Sequence, residues 1–292
     1  MTRHLVLGAT GQVGRVLVAA LNAREEAVAT TGHTRPADHR VDLGDADAVR
    51  RILDLMEPTT CWVVGAYTHV DGCETDPERS RRVNREAPEV AAAWARRRGA
   101  RVVLFSTDYV FDGTRGPYKE GDPIAPLSVY GRDKAAAEAA VTAVPGGLVL
   151  RTAWVYSWEP EPAQNFCQRL VGNLGAGNAA RVPADQWGNP TYAPDLASIA
   201  CALNAEEAQG IWHVAGSAVV TRYLFAQAIA QAFGLSQDLV EGVATRDLGQ
   251  RAPRPLQGGL LMGRLEAAGA LIPRPPDEVL PLLAASHPVA GR

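Results

Sequence analysis

The sequence predicts an α/β protein with a doubly wound parallel sheet and a smaller C-terminal α/β domain. Short apolar runs alternate with helical patterns through the first half of the chain, which is typical of βαβ units. The runs are apolar throughout, as expected for strands that helices cover on both faces. This rhythm ends after residue 153. We therefore divide the chain into domains at 1–153 and 154–292, with the second interleaved with the first.

The elements of the first half follow from these runs in chain order. An apolar run that ends at a glycine predicts a strand at 4–7, and helical periodicity predicts a helix at 13–21. The other predicted strands are 27–31, 61–64, 101–106 and 148–152, and the other predicted helices are 46–56, 88–98 and 134–144. The last of these helices is rich in alanine, the residue with the highest helix propensity.

The second half is rich in proline and glycine, which interrupt regular elements. Three stretches are predicted as loops on this ground, at 158–162, 172–177 and 188–194. Two helices are predicted after them, at 194–204 and 222–233. We interpret this half as a domain that grips a substrate.

Composition excludes several classes of protein. The formal net charge of −3 argues against an electrostatic nucleic-acid binder, which would be basic. No apolar run reaches the ~18 residues that a membrane span needs, and the N-terminus enters a strand without room for a signal peptide. The four cysteines show no metal-ligand spacing. We therefore expect a cytoplasmic protein with reduced thiols, no bound metal, and no nucleic-acid or membrane partner.

A glycine-rich loop lies between the first predicted strand and helix. Glycines there allow a tight turn and let backbone N–H groups approach a pyrophosphate. The spacing is G-x-x-G-x-x-G rather than the dinucleotide fingerprint G-x-G-x-x-G, and an ordinary glycine-containing loop is the alternative. The strand–glycine–helix order favours a nucleotide cofactor and a Rossmann-type domain. The predicted contacts are Gly8, Thr10, Gly11, Gln12, Val13 and Gly14.

The end of the second predicted strand indicates which nicotinamide cofactor is bound. A carboxylate there would bind the ribose 2′-OH of NADH, whereas an arginine accommodates the 2′-phosphate of NADPH. This chain has Arg35 and no carboxylate before Asp38, so we predict NADPH, with NADH as the second possibility. The alternative is that Arg35 is a solvated loop residue. Asp42 and Leu43, after the next turn, are predicted to meet the adenine.

A further set of residues is suited to proton transfer. Reducing a ketone requires a hydride on carbon and a proton for the developing alkoxide, which a tyrosine hydroxyl can supply. Tyr130 and Lys134 are four residues apart and share a helix face, where an ammonium lowers a tyrosine pKa. Thr107, at the end of the fourth predicted strand, is placed to hold the carbonyl, and Asn84 to anchor a water or a backbone group behind Lys134. The alternative is a turn tyrosine and a solvated lysine.

These residues resemble the extended short-chain dehydrogenase/reductase superfamily, and more closely its dTDP-4-dehydrorhamnose reductase family. The resemblance covers nearly the whole chain. The matching segments include YTHVD at 67–71, STDYVFDG at 106–113 and VYG at 129–131. The segment DQWGNPT at 185–191 is the most specific, since ordinary Rossmann reductases lack it. This chain has Gly65 in a loop where the family has alanine, and Ser128 where an asparagine is common.

The resemblance implies that the protein reduces the C4 ketone of a dTDP-linked 6-deoxyhexose. The catalytic residues would be Thr107, Tyr130 and Lys134, of which Tyr130 and Lys134 would also contact the cofactor. The loop that passes the nicotinamide would add Gly65, Ala66 and Tyr67 to the cofactor site. Contacts with the dTDP-sugar are expected from Thr68, His69, Val70, Thr107, Asp108, Tyr109, Trp154, Asn165, Gln186 and Thr191. A homodimer is left open.

Two other functions stay open at this point. One is a 4-ketoreductase that acts on another deoxysugar nucleotide. The other is a non-catalytic role, because the regulatory β subunit of methionine adenosyltransferase resembles the same family. The complete set of Thr107, Tyr130 and Lys134 argues against the non-catalytic role.

Overall fold

The fold was determined as a computed structural model, which describes residues 3–158 and 165–288. In chain order, the strands are β1 (Arg3–Leu7), β2 (Ala27–Gly32), β3 (His39–Arg40), β4 (Thr60–Val63), β5 (Arg101–Thr107), β6 (Leu148–Thr152), β7 (Val155–Tyr156), β8 (Ala180–Pro183), β9 (Trp187–Gly188), β10 (Thr191–Tyr192), β11 (Gly210–His213), β12 (Val220–Thr221) and β13 (Val240–Val243). The helices are α1 (Gln12–Asn22), α2 (Ala46–Met56), α3 (Val70–Thr75), α4 (Pro77–Arg81), α5 (Ala87–Arg98), α6 (Val129–Thr142), α7 (Phe166–Gly175), α8 (Ala193–Ala205), α9 (Arg222–Ala232), α10 (Gly263–Ala267) and α11 (Pro276–Ser286). A π-helical turn, Arg82–Glu86, joins α4 to α5.

The central sheet of the described chain has seven parallel strands in the order β11-β6-β5-β4-β1-β2-β3. The chain changes direction across the sheet at β1, whose neighbours are β2 and β4. Such a switch point opens a crevice at the carboxyl ends of the strands. Val64 and Gly65, directly after β4, both donate to the carbonyl of Leu7 at the end of β1, at 3.1 and 2.9 Å. The segments that follow β1 and β4 therefore meet at this crevice.

Helices cover both faces of the sheet. α1 and α8 pack against each other on one face, and α2, α5 and α6 lie side by side on the other. Alternate strand residues point to opposite faces. Val6 and Trp62 thus join the core under α1 and α8, while Leu5, Leu7 and Cys61 join the core under α2, α5 and α6. This arrangement confirms the predicted doubly wound parallel fold.

A small lobe, formed by β7–β10, β12, β13, α7, α9 and α11, has its own apolar core. Its strands pair only in twos, as β7 with β10, β8 with β13 and β9 with β12, within the described residues. Tyr156, Phe225, Ile229 and Leu280 are fully buried between these short strands and the helices. The chain also leaves this lobe after residue 192, because α8 and β11 pack into the layers of the large sheet. The division at residue 153 stays a prediction.

Most predicted elements are present, and the differences have physical causes. Helix α6 begins at Val129 rather than at 134, because the Ser128 side chain accepts a hydrogen bond from the Gly131 N–H and caps it. The loop predicted at 172–177 is wrong, since α7 continues to Gly175 with Leu174 buried in the small-lobe core. The stretch 188–194 contains β10 and the start of α8. The residues around 159–164 lie outside the described part of the chain.

Membrane-spanning helices and clusters of metal ligands are both absent from the described part of the chain. None of its helices combines the length and apolar character needed to cross a membrane. Between residues 3 and 158 and between 165 and 288, no three His, Cys, Asp or Glu side chains converge as a metal site requires. The free cysteines Cys61, Cys73, Cys167 and Cys201 are all buried.

Candidate active site

A cavity of about 810 Å³ lies at the carboxyl ends of β1, β4, β5 and β6 and extends into the small lobe. From the predicted cofactor contacts, it is lined by Gly8, Thr10, Gly11, Gln12, Val13, Gly14, Asp42, Leu43, Gly65, Ala66, Tyr67 and Tyr130. From the predicted substrate contacts, it is lined by Thr68, His69, Val70, Thr107, Asp108, Tyr109, Trp154 and Asn165. Most of the predicted cofactor contacts and most of the predicted substrate contacts therefore line a single cavity.

The glycine loop is built so closely that larger residues do not fit. Gly8 has a φ of +88°, and a Cβ atom on it would lie 2.4 Å from the Cα of Gly65. A Cβ atom on Gly14 would lie 2.3 Å from the carbonyl oxygen of Gly8. Gly65, which replaces the alanine common in the resembling family, is therefore matched to Gly8 across the switch point.

The loop ends at the N-terminus of α1, beside the cavity. Gly11 is the N-cap residue and has no side chain to cap the first N–H groups of this 11-residue helix. Those N–H groups and the helix dipole favour an anion at this position. The Gln12 side chain points to the small lobe, where it donates to Ser157 Oγ at 3.0 Å and so ties the loop to the other wall of the cavity.

The residues predicted to select the cofactor lie at the edge of this loop. Arg35 donates from Nη1 to the carbonyl oxygen of Thr10 at 3.0 Å, which places its guanidinium against the loop but outside the cavity lining. Asp42 accepts from the Gly44 N–H at 2.8 Å. A Cβ atom on Gly65 would meet the Leu43 side chain at 2.5 Å. The contact of Arg35 with a 2′-phosphate stays a prediction.

The three predicted catalytic residues come together where α6 packs on the end of β5. Thr107 and Tyr130 both line the cavity, and the Thr107 hydroxyl is near enough to Tyr130 to affect its pKa. Lys134 lies one turn further along α6, 2% exposed, and donates from Nζ to the carbonyl oxygen of Phe105 at 2.7 Å. Gly131 allows this approach, because a Cβ atom there would lie 2.3 Å from the carbonyl oxygen of Tyr109.

Burial controls the ionisation of this set. Burial raises the pKa of Tyr130 above its usual value, and the neighbouring Thr107 hydroxyl opposes that shift. Burial lowers the pKa of Lys134 to about 8, and the carboxylate of Glu138 opposes that shift. The net shift for Tyr130 is upward, whereas the sequence predicts a downward one. The prediction was wrong because the phenol is buried. The loss of solvent around its charged form raises the pKa of Tyr130 more than the neighbouring Thr107 lowers it.

Asn84 fixes the loop that follows β4. It is buried in the π-helical turn, where its Oδ1 accepts from the Tyr67 N–H at 2.8 Å and its Nδ2 donates to the Tyr67 carbonyl oxygen at 3.0 Å. Its Nδ2 also donates to Ser80 Oγ at 3.2 Å. Of the two roles predicted for Asn84, the structure shows the anchoring of a backbone group, and that group belongs to the cavity wall rather than to the lysine. π-helical turns recur at functional sites.

An arginine that was not predicted from the sequence lines the small-lobe wall of the cavity and contacts two aromatic rings there. The guanidinium of Arg222, at the start of α9, lies 3.7 Å from the ring centroid of Trp154 and 4.8 Å from that of Phe166. Burial lowers its pKa to about 10, so it is charged at neutral pH. Trp154 itself has a φ of +44°, a strained value for a non-glycine residue. No sequence motif pointed to Arg222, because α9 was predicted only from its periodicity.

Other charged groups surround this arginine. Arg79 and Arg169 also line the cavity, and Arg79 lies over the Tyr67 ring at 4.5 Å. The only buried carboxyl in the described lining is that of Asp108, next to Thr107, and burial raises its pKa to about 6. The lining therefore carries more positive than negative charge, which suits an anionic ligand.

Three carboxylates near the cavity hold main-chain groups. Asp71 accepts from the Ala252 N–H at 2.9 Å and pairs with Arg254. Glu74 accepts from the Val129 N–H at 2.7 Å, at the start of α6. Glu120 accepts from the Arg264 N–H at 3.3 Å. These side chains orient loops and the catalytic helix.

Two predicted substrate contacts are placed away from the cavity lining. Gln186 donates to Thr245 Oγ1 at 3.0 Å and to Gln250 Oε1 at 3.2 Å. Thr191 donates to the carbonyl oxygen of Asn189 at 3.1 Å and accepts from the Gly216 N–H at 3.0 Å. Both side chains hold neighbouring segments of the chain together. The expected contacts of Gln186 and Thr191 with the substrate stay a prediction.

The chain is similar to known proteins along nearly its whole length. The model of the RmlD substrate binding domain matches residues 2–286. A probable dTDP-4,6-dihydroxy-2-methyloxan-3-one 4-ketoreductase from Streptomyces antibioticus is 37% identical over 99% of both chains. The dTDP-4-dehydrorhamnose reductase of Aggregatibacter actinomycetemcomitans is 34% identical, over 94% of this chain and 95% of its own. The crystal structure of dTDP-4-dehydrorhamnose reductase from Bacillus anthracis in complex with NADP superimposes with a TM-score of 0.88 at 27% identity, covering 98% of this chain and all of that one.

Proposed function

The chain belongs to the family of the RmlD substrate binding domain, and from this premise we propose that it is an NADPH-dependent reductase of dTDP-linked 4-keto-6-deoxyhexoses. The substrate that the comparisons favour is dTDP-4-dehydrorhamnose, which would be reduced to dTDP-L-rhamnose. The observation that carries the proposal is the placement of Thr107 and Tyr130 on the same cavity as the glycine loop.

The residues present fit a dinucleotide. The loop has a tight path that only glycine allows at Gly8 and Gly14, and with the uncapped N-terminus of α1 it forms a cradle beside the cavity. This cradle would hold the pyrophosphate, with Arg35 beside it for the 2′-phosphate and Leu43 beside the adenine. When bound, NADPH supplies the hydride for the substrate carbon.

The chain's own residues handle the proton and the orientation of the ketone. Thr107 holds the carbonyl oxygen beside Tyr130, and the Tyr130 hydroxyl donates its proton to that oxygen as negative charge develops. The raised pKa keeps Tyr130 protonated and ready to donate. Lys134 lies behind the phenol, outside the cavity lining, and bonds to the Phe105 carbonyl oxygen. It would supply a positive charge there and would contact the nicotinamide ribose when the cofactor is bound.

The small-lobe wall binds the rest of the substrate. Arg222 and Arg169 face the cavity and would neutralise the diphosphate of the sugar nucleotide. Thr68, His69, Val70, Asp108, Tyr109, Trp154 and Asn165 are the proposed sugar and nucleotide contacts, whereas Gln186 and Thr191 act through the fold. The division into domains at 1–153 and 154–292 and a cytoplasmic location belong to this proposal, and the buried free cysteines support a reducing compartment.

Product identification tests the proposal. Purified protein is incubated with NADPH and dTDP-4-keto-6-deoxy-D-glucose, with and without a 3,5-epimerase, and the product is identified by NMR. We expect dTDP-L-rhamnose to form only when the epimerase is present. A matched reaction with NADH should be slower, and faster turnover with NADH would contradict the role of Arg35.

A second candidate function is favoured by the relative from Streptomyces antibioticus, a probable 4-ketoreductase of another dTDP-linked sugar. In that case the unepimerised ketosugar, or one with a different pattern of hydroxyls, would be the better substrate. Absence of turnover with every ketosugar would instead favour a non-catalytic subunit. The same incubation therefore separates all three functions.

A further inference from the structure

The face of α6 that carries the active site has a third polar residue. Tyr130, Lys134 and Glu138 follow one another at intervals of four residues, so they lie on one face of the helix. Each meets the end of β5: Tyr130 meets Thr107, Lys134 the carbonyl oxygen of Phe105, and Glu138 the hydroxyl of Ser106. Glu138 has no part in the proton transfer described above. It is nevertheless 2% exposed.

Glu138 is also held from a neighbouring strand. Arg151, on β6, donates to both of its carboxylate oxygens, with distances of 2.7 Å from Nη2 and 3.0 and 3.1 Å from Nε. Both side chains are 3% exposed. Both carboxylate oxygens of Glu138 thus have donors, and such donors favour the charged form of a carboxylate.

The buried charges do not cancel. Lys134 and Arg151 are cations and Glu138 is the one anion between them, so the group carries a net positive charge in the protein interior. Arginine does not lose its proton in proteins, whereas a buried lysine does so readily. Removing the negative charge of Glu138 should therefore favour the deprotonated form of Lys134.

Other ionisable groups around this cluster have partners of their own. Asp133, next to Lys134 on α6, accepts from Ser80 Oγ at 2.6 Å on the side of α4. His213, on β11, lies 3.5 Å from Arg151, and burial lowers its pKa to about 4, so it is neutral near pH 7. Arg151 also reaches the carbonyl oxygen of Glu120, whose carboxylate holds main-chain N–H groups.

We propose that Glu138 is a positioning residue of the active site, which holds the Lys134 side chain in its charged form, and that Arg151 limits the strength of this effect. The use of that charge in catalysis rests on the proposed function. The charge itself does not, because it can be measured without substrate or cofactor.

The composition of the chain makes the measurement direct. Lys119 and Lys134 are the only lysines, so protein labelled with ¹³C at lysine Cε gives two lysine resonances whose shifts report ionisation. Lys119 is exposed and serves as the internal reference, and the variant Lys119→Arg assigns the remaining signal to Lys134. In the wild-type protein the Lys134 signal should titrate with a pKa of about 8.

Two variants of the cluster should lower the pKa of Lys134 by different amounts, with the single variant giving the larger decrease. Glu138→Gln should lower the pKa of Lys134 by about one pH unit or more, the scale for losing a nearby opposite charge. The double variant Glu138→Gln with Arg151→Met removes both partners and should give a smaller decrease. Glu89→Gln removes an exposed i,i+4 partner of Arg85 on α5 and should leave Lys134 unchanged.

A purely structural role for Glu138 predicts a different result. In that case Lys134 would titrate in Glu138→Gln as it does in the wild type, or the double variant would shift at least as far as the single one, and either outcome overturns the proposal. If Glu138→Gln fails to fold because Arg151 is left unpaired, the double variant decides, since it must titrate below the wild type. A shifted titration with an unchanged pH profile of kcat would spare this proposal and count against the proposed reaction.

Discussion

The large sheet and the small lobe place their functional side chains in different ways. On the sheet side, Thr107 ends a seven-residue strand and Tyr130 and Lys134 lie on a 14-residue helix. On the small-lobe side, Trp154 lies between two strands with a strained backbone, and Arg222 begins a helix that packs against strands of two to four residues. On the sheet side of the cavity, a long strand and a long helix position the functional side chains. On the small-lobe side, each functional side chain is positioned by its own local contacts.

The difference shows where function tolerates change. The catalytic wall depends on the alignment of β5 with α6. Three successive residues at the end of β5 (Phe105, Ser106 and Thr107) contact residues of α6 that are one helical turn apart. The small-lobe wall depends on stacking, with Arg222 between two aromatic rings. We expect mutations on the first wall to act on kcat and mutations on the second to act on KM.

The largest effect should come from Tyr130→Phe. The variant keeps the ring and its edge-on contact with Tyr109 but removes the hydroxyl that donates the proton. Because a lost acid–base group usually costs about 10²–10⁴-fold, kcat should fall by that factor with little change in KM. Steady-state oxidation of NADPH measures both constants. Tyr223→Phe, which removes a hydroxyl that accepts from Gln227, is the control. Near-normal turnover of Tyr130→Phe would refute the assignment.

A smaller effect on the other wall is expected from Arg222→Met. Methionine preserves much of the apolar contact with Trp154 but removes the charge. A hydrogen bond to a charged group contributes about 1.5–3 kcal/mol, so KM for the dTDP-sugar should rise by roughly 10–100-fold while kcat changes little. Arg246→Met, at a side chain that is 88% exposed, is the matched control. A loss confined to kcat would remove the distinction between the two walls.

The sequence predicted the sheet-side wall better than the small-lobe wall, because only the sheet-side wall is built from long regular elements. Strand patterns place Gly8 and Thr107 at the ends of predicted strands, and the ends of parallel strands meet at one edge. The start of the helix at residue 222 was predicted, but no pattern extends over the two-residue strands that would have indicated that Arg222 faces the cavity. β11 was not predicted. Residue type alone does not reveal which partner a side chain has, so the sequence did not indicate that Gln186 and Thr191 bond to neighbouring segments of the chain.

The smallest kinetic effect is expected from Thr191→Val, which tests whether the small-lobe motif acts only through the fold. Valine has nearly the same shape, but it leaves the buried Asn189 carbonyl and the Gly216 N–H without their partner. Leaving buried polar groups unpaired costs about 1–3 kcal/mol, so the free energy of unfolding in urea should fall by that amount. Both kcat and KM should stay near wild type at a temperature where the variant is folded. Thr68→Val, at an exposed position on the cavity lining, should show the reverse, with stability kept and KM raised. A rise in KM for Thr191→Val without loss of stability would return this residue to the substrate site and show that the cavity extends further into the small lobe.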